Sequence, residues 1–272
     1  NRQIAAVSST GSLYFIGQDQ IKSGAANRPI RATEGEPQNT SLSEWAKLPN
    51  GRFALAPKRD GRAILVVDPA KTADPLRWIP LDGDIVGGPA ALENGIVAPL
   101  ENGRVEIYDA SSGQQLAAPF QPPLHPGQTV SWRRPADGRG GVVLSDGGGR
   151  LFRLDVQDRP AKHLALLASN DQLADASVTP LASLGNSIFG GTESGEIIAI
   201  QQDDLKESSR TSLGGSILHG PSAVGEFVLV VTDRDEMIAV DDECKIAWRV
   251  PLTNGSLSGV PISSNGAMYA AS

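Results

Sequence analysis

Short apolar runs punctuate this chain, among them Ile64-Leu65-Val66-Val67, Ile96-Val97-Ala98, Val142-Val143-Leu144, Ile197-Ile198-Ala199-Ile200 and Val228-Leu229-Val230-Val231. Each is short, rich in β-branched side chains and accompanied by no stripe of 3.6-residue period, so the runs predict strands buried on both faces, not helices. Clusters of Gly, Asn, Asp and Ser separate them, which predicts tight turns. The pattern is all-β.

The runs belong to a repeat. Aligning on residues 102–113, Asn-Gly-Arg-Val-Glu-Ile-Tyr-Asp-Ala-Ser-Ser-Gly, gives copies that start at Gly11, Gly61, Gly103, Gly149, Gly195 and Asp235, spaced 50, 42, 46, 46 and 40 residues apart. Pairs such as Asn102-Gly103 and Asp60-Gly61 accept the positive φ of type I′ and related hairpin turns. Each copy therefore predicts the turn and second strand of a hairpin, with first strands at 4–8, 53–57, 95–99, 141–144, 187–190 and 226–231. Ahead of these stand Pro49, Pro89, Pro135, Pro180, Pro221 and Pro261, each expected to mark the end of an inner strand, where a missing N–H breaks no ladder bond. A fourth short strand is expected at 76–80, 114–118, 162–166 and 246–251.

Four antiparallel strands in a unit of roughly 40 to 46 residues predict a β-propeller of four-stranded antiparallel blades. One blade has two broad faces and cannot bury both alone, so stability comes from stacking on neighbours. Seven blades with incomplete terminal blades are expected, with six or eight as the alternatives. Residues 1–272 form a single propeller domain that reads as a piece of a longer protein, and residues 18–41 form a polar loop insertion.

Composition narrows the classes. Net charge is −7 and pI about 5.0, which argues against nucleic acid as a partner, since that requires a concentrated basic face. No apolar run reaches the length of a membrane span. Thirty Gly and 19 Pro suit many tight turns. The lone Cys244 allows no internal disulfide and no cysteine-cluster metal site, and is expected to be a semi-buried apolar residue near a strand end.

Candidate chemistry is sparse. His125, His163 and His219 share no metal-ligand spacing. His219 precedes Gly220-Pro221 on an inner strand, where it either faces a central funnel or packs as an ordinary histidine. Trp132, Arg133 and Arg134 stand before Pro135 in another blade, and this aromatic with two guanidinium groups could hold an anionic or planar ligand at the funnel rim. Glycines 147, 148 and 149 lack a phosphate-loop pattern and read as a hairpin turn. Acidic tracts at 203–204, 233–236 and 241–243 lack the order of a calcium loop and read as solvated turns. No nucleophile elbow or triad is present.

The unit at 87–116, Gly-Gly-Pro-Ala-Ala-Leu-Glu-Asn-Gly through Gln-Gln-Leu, resembles the pyrroloquinoline-quinone-like propeller repeat, and 219–250 is a second copy ending in a docking-type Trp248. Nearly the whole chain shares the resemblance. It implies one of two branches, quinoprotein dehydrogenases holding quinone and calcium at the ring centre, or noncatalytic members such as the scaffold lipoprotein of bacterial outer-membrane barrel assembly. Departures favour the second. Adjacent cysteines are absent, the chain is short, Ala117 stands where a docking Trp belongs, and the Asp155 copy has no Gly; Trp78 and Trp248 are retained. The resemblance thus implies a non-enzymatic, extracytoplasmic scaffold with protein partners and no cofactor, an outer strand edge offering a further surface by β-augmentation. The alternatives are a degenerate quinoprotein oxidoreductase using quinone with calcium over Trp132, and a polysaccharide-binding propeller.

Overall fold

A computed structural model describes residues 3–17, 22–23, 28–32, 41–57, 60–71, 73–124, 129–173, 175, 177–253, 262–264 and 267–269. It is all-β, built of propeller blades, and divides into two compact units, Asn1–Gln121 and Pro122–Ser272. The division falls between repeats.

In the first unit, β1 (Gln3–Val7) and β2 (Leu13–Gly17) form a hairpin, joined at Leu13 by a bridge to Ile30. A four-stranded blade follows, β3 (Leu42–Lys47), β4 (Phe53–Pro57), β5 (Ala63–Val67) and β6 (Leu76–Pro80), paired in chain order. Next come β7 (Ala90–Leu92), β8 (Gly95–Pro99) and β9 (Val105–Asp109), with a bridge from Tyr108 to Gln115 in the fourth-strand position. The segment expected as a strand at 114–118 is thus reduced to isolated bridges.

The second unit holds three four-stranded blades: β10 (Ala136–Gly138) to β13 (His163–Asn170) through β11 (Gly141–Ser145) and β12 (Leu151–Gln157); β14 (Ala182–Leu184) to β17 (Glu207–Ser212) through β15 (Ser187–Gly191) and β16 (Glu196–Gln201); and β18 (Ile217–Val224) to β21 (Ile246–Pro251) through β19 (Phe227–Thr232) and β20 (Glu236–Val240). A hairpin of β22 (Ile262–Ser264) and β23 (Ala267–Tyr269) ends the described chain. Against the expected seven blades with incomplete terminal ones, the described residues form five blades and two terminal hairpins.

The two middle strands of each blade are the apolar runs of the sequence; β5, β8 and β11 are buried along their whole length. Their side chains meet those of the adjacent blade. Ala54, Ile64 and Ile79 pack with Ile96, Leu100 and Tyr108 in the first unit, while Phe189, Ile197 and Ala199 pack with Val228, Val230 and Ile238 in the second.

Three of the hairpin turns share one geometry that is not type I′. Leu100 N–H donates to Arg104 O and Gly103 N–H to Leu100 O, and of the turn residues Gly103 alone has positive φ (84°). This is a type I turn closed by one left-handed residue, a three-residue loop. The same two bonds recur at Ser8 with Ser12 and Gly11, and at Thr192 with Glu196 and Gly195. These turns therefore need a left-handed residue only at their last position, glycine in these three and Asp235 (φ 53°) in the turn after Thr232, which explains why the preceding residue varies freely among Thr10, Asn102 and Ser194.

Four of the prolines also differ from expectation. Pro89, Pro135 and Pro180 lie just ahead of the short strands β7, β10 and β14, and the chain upstream of each pairs separately with the far end of the second strand, as Ile85 does with Leu100 and Ser177 with Thr192. Pro221 lies within β18, in a stretch skipped by the ladder between His219 and Ser222. These prolines interrupt the inner strand at its centre rather than ending it. Pro49 does follow expectation: it stands just past the end of the inner strand β3, where it opens a 3-10 turn, Pro49–Gly51. Pro261 lies outside the described residues, as does most of the 18–41 insertion.

Candidate functional site

Of the residues singled out in the sequence, Trp132 departs most from expectation. It is 1% exposed, with its ring edge-on to Phe152 at 5.8 Å. A rim platform needs an open face, and this indole has none, so it does not fit a planar quinone lying over it. Its Nε1 is buried without a hydrogen-bond partner, as is Arg133 Nε. Arg133 and Arg134 are partly buried; their backbones join the inner strand to Ser145 and Leu181. His219 belongs to another blade, partly buried on β18 opposite Val231 and beside the exposed Leu218. His163 Nδ1 lies 2.8 Å from Ala161 O, and His125 lies outside the described residues.

The remaining motifs serve the fold. Trp78 is buried, and a Cβ on Gly11 would stand 2.9 Å from its ring, so it docks on the β1–β2 turn. Trp248 packs edge-on to Phe227 at 6.1 Å. Asp146 Oδ1 accepts the N–H groups of Gly148 and Arg150, which ties the 147–149 glycines into a hairpin turn. In the acidic tracts, Asp233 Oδ1 accepts Ser216 N–H, Asp241 Oδ1 accepts Glu243 and Lys245 N–H, and Asp204 Oδ1 accepts Lys206 N–H. Among the described residues no group of three acidic, His or Cys side chains is placed to hold a metal ion. No helix there is long and apolar enough to cross a membrane.

Cys244 is fully buried among Phe189, Ile197 and Val240, with its Sγ 3.6 Å from Ile197 O. Burial raises its pKa. It is a core residue.

The surface that stands out is the outer strand of the β10–β13 blade. Sheet edges expose unpaired N–H and C=O groups, and proteins blunt them with charge, proline or shortness. The outer strands β6 (Leu-Arg-Trp-Ile-Pro), β17 (Glu-Ser-Ser-Arg-Thr-Ser) and β21 (Ile-Ala-Trp-Arg-Val-Pro) carry such residues. β13 reads His-Leu-Ala-Leu-Leu-Ala-Ser-Asn, eight residues without Pro, Lys, Arg, Asp or Glu. Leu166 and Leu167 on it are 44% and 40% exposed.

The repeat makes this informative. In all three blades of the second unit the third and fourth strands slip register at the same place, leaving one extra residue: Leu167, Ser208 and Ala247. The residue before each is Leu166, Glu207 and Ile246. Blade construction is thus satisfied by a small residue at the bulge, and the exposed Leu166-Leu167 pair is an addition that packing does not require. The lost turn motif explains the strand's length. Where Asp109 and Asp241 start a tight turn, Asp155 is followed by two further ladder pairs, Val156 with Leu164 and Gln157 with His163. Sequence reading placed the strand at 162–166 and the missing Gly beside it. The unprotected edge was legible as Leu164-Ala165-Leu166-Leu167-Ala168, an uncharged stretch where an outer strand is ordinarily polar.

Comparison with known proteins agrees with the fold. Residues 193–272 match the family model described as outer membrane protein assembly factor BamB. The solved structure of BamB from Moraxella catarrhalis superposes with a TM-score of 0.57 at 14% identity, covering 98% of this chain and 90% of that one. No curated protein matches the chain. Together these bear out the resemblance to the quinone-type propeller repeat, and the structural likeness is one of fold.

Proposed function

We propose that this propeller is a non-enzymatic scaffold of the cell envelope that docks a protein partner, with the β13 edge receiving an extended partner segment. The observation that carries the reading is the exposed Leu166-Leu167 pair on a long, uncharged, unpaired edge. An added strand would gain main-chain hydrogen bonds from the edge and apolar contact from the two leucines. The match of 193–272 to an outer-membrane assembly factor supports an envelope setting and a partner that is itself a protein.

A photo-crosslinking residue at position 166 or 167 in the full chain, expressed in the cell that makes it, is expected to capture one partner species that the same residue at 208 does not. Leu167→Lys is expected to abolish that adduct from position 166 while leaving the melting temperature unchanged, since exposed substitutions usually stay within about 0.5 kcal/mol. Equal crosslinking at 166 and 208, or an adduct indifferent to L167K, would defeat the assignment.

A further inference from the structure

The first unit holds a cleft of about 300 Å³, near the lower size limit for small-molecule sites. It lies between the β5–β6 turn and the turn after β9. Arg52, Lys71 and Arg77 line it, with Asp68, Asp74 and Ser111. Two guanidinium groups converge on one residue there. Arg52 Nη1 donates to Ser111 Oγ at 2.9 Å, and Arg77 Nη1 donates to the Ser111 carbonyl.

This convergence is unfavourable by itself. Arg52 is nine-tenths buried, where water screens charge least, and a second like charge held on the same residue adds to the cost of burying it. Among the described residues no ion pair involves Arg52, Lys71 or Arg77. Asp68, Asp74 and Asp109 lie nearby and take part in no such ion pair; Asp68 Oδ1 accepts Ala70 N–H, and Asp109 Oδ1 accepts the N–H groups of Ser111 and Ser112. Asp109 feels Arg52 only as a field, which adds to the larger effect of the Ser112 N–H in lowering its pKa.

We infer that the cleft binds a small oxyanion, a carboxylate or phosphate group, gripped by Arg52 and Arg77 with Lys71 at the rim. A planar guanidinium suits either group, since each offers paired oxygens. Asp68 and Asp74 on the lining restrict the ligand to one compact anionic group, because an extended polyanion would meet them. The site is independent of the β13 edge, so either can fail alone.

Calorimetric titration of the full chain with inorganic phosphate and, separately, sodium acetate tests it. Saturable binding of at least one probe is expected, and the tighter one identifies the ligand as phosphate- or carboxylate-bearing. Arg77→Gln should weaken it about tenfold or more, the scale of one lost charge-assisted hydrogen bond. The Arg77 side chain is exposed, so the variant is expected to keep the wild-type melting temperature; Lys162→Gln, on another blade, should bind as wild type. No saturation with either probe, or equal affinity in R77Q and wild type, overturns the inference.

Discussion

Single residues in this chain are read correctly only once their backbone is known. Gly149 and Gly195 occupy the same repeat position and both have positive φ, 95° and 76°, yet they differ in what surrounds them. A Cβ on Gly149 would come no nearer than 3.9 Å to Leu173 O, whereas on Gly195 it would meet the Gly215 carbonyl at 2.4 Å. Gly149→Ala should then cost about 1 kcal/mol, the left-handed strain alone, and Gly195→Ala about 2 kcal/mol or more because backbone must also shift. Urea denaturation of the two variants checks this, and equal costs would contradict it. Cys244 and Leu205 show the converse: both are non-glycine at positive φ, 64° and 58°, and both are completely buried, so their side chains offset local strain by filling the core. Since burial raises the Cys244 pKa, its alkylation by iodoacetamide at neutral pH should be slow in the folded protein and rapid in urea. Similar rates in both would place the thiol at the surface.

Elements follow rules that a local sequence can carry. The strands at 53–57, 76–80, 95–99 and 246–251 were legible to the residue because short apolar stretches bounded by turn residues at fixed repeat positions are local signals. β3 was not, because Leu42-Ser-Glu-Trp-Ala-Lys alternates weakly and follows a polar insertion that hides its start. Turn type stays open in the sequence at Asn102-Gly103, since the dipeptide is compatible with two geometries and only the hydrogen bonds separate them. Trp132 was not legible either: a flanking Arg pair suggests exposure, but its burial comes from packing against Phe152 of β12, a contact twenty residues away in sequence. The lack of charge on the β13 edge is legible in its sequence, but the register slip at Leu167 and the exposure of the two leucines are not, because both depend on pairing with β12. The turn after β9 was legible, and it makes a pH prediction. Asp109 accepts two backbone N–H groups, and its pKa lies below the ordinary aspartate value, chiefly through the Ser112 N–H. A carboxyl depressed in the folded state contributes stability above the unfolded pKa and loses it as pH falls through the folded one. Asp109→Asn, nearly the same shape without the charge, should be less stable than wild type at pH 7, and the gap should close progressively below about pH 4. A gap that persists unchanged at pH 2 would assign the loss to shape instead.

At the scale of the molecule, the repeat is a way of sharing cores. Within each unit, neighbouring blades contribute faces to a shared cluster. In the second unit Phe189, wholly buried on β15, packs with Val228, Val230, Ile238 and Val240 of the following blade. Truncating it removes contacts from two sheets at once. Phe189→Ala should destabilise the protein by about 3–5 kcal/mol, the usual range for a fully buried phenylalanine. The more telling expectation concerns where protection is lost. If the blades are cooperative through the shared cluster, hydrogen exchange should accelerate in β19 and β20 as well as in β15 and β16, although the mutated side chain belongs to one sheet only. Acceleration confined to the β14–β17 blade would mean that each sheet holds itself together, and the repeated turn and strand would then need a reason other than the stacking of neighbours.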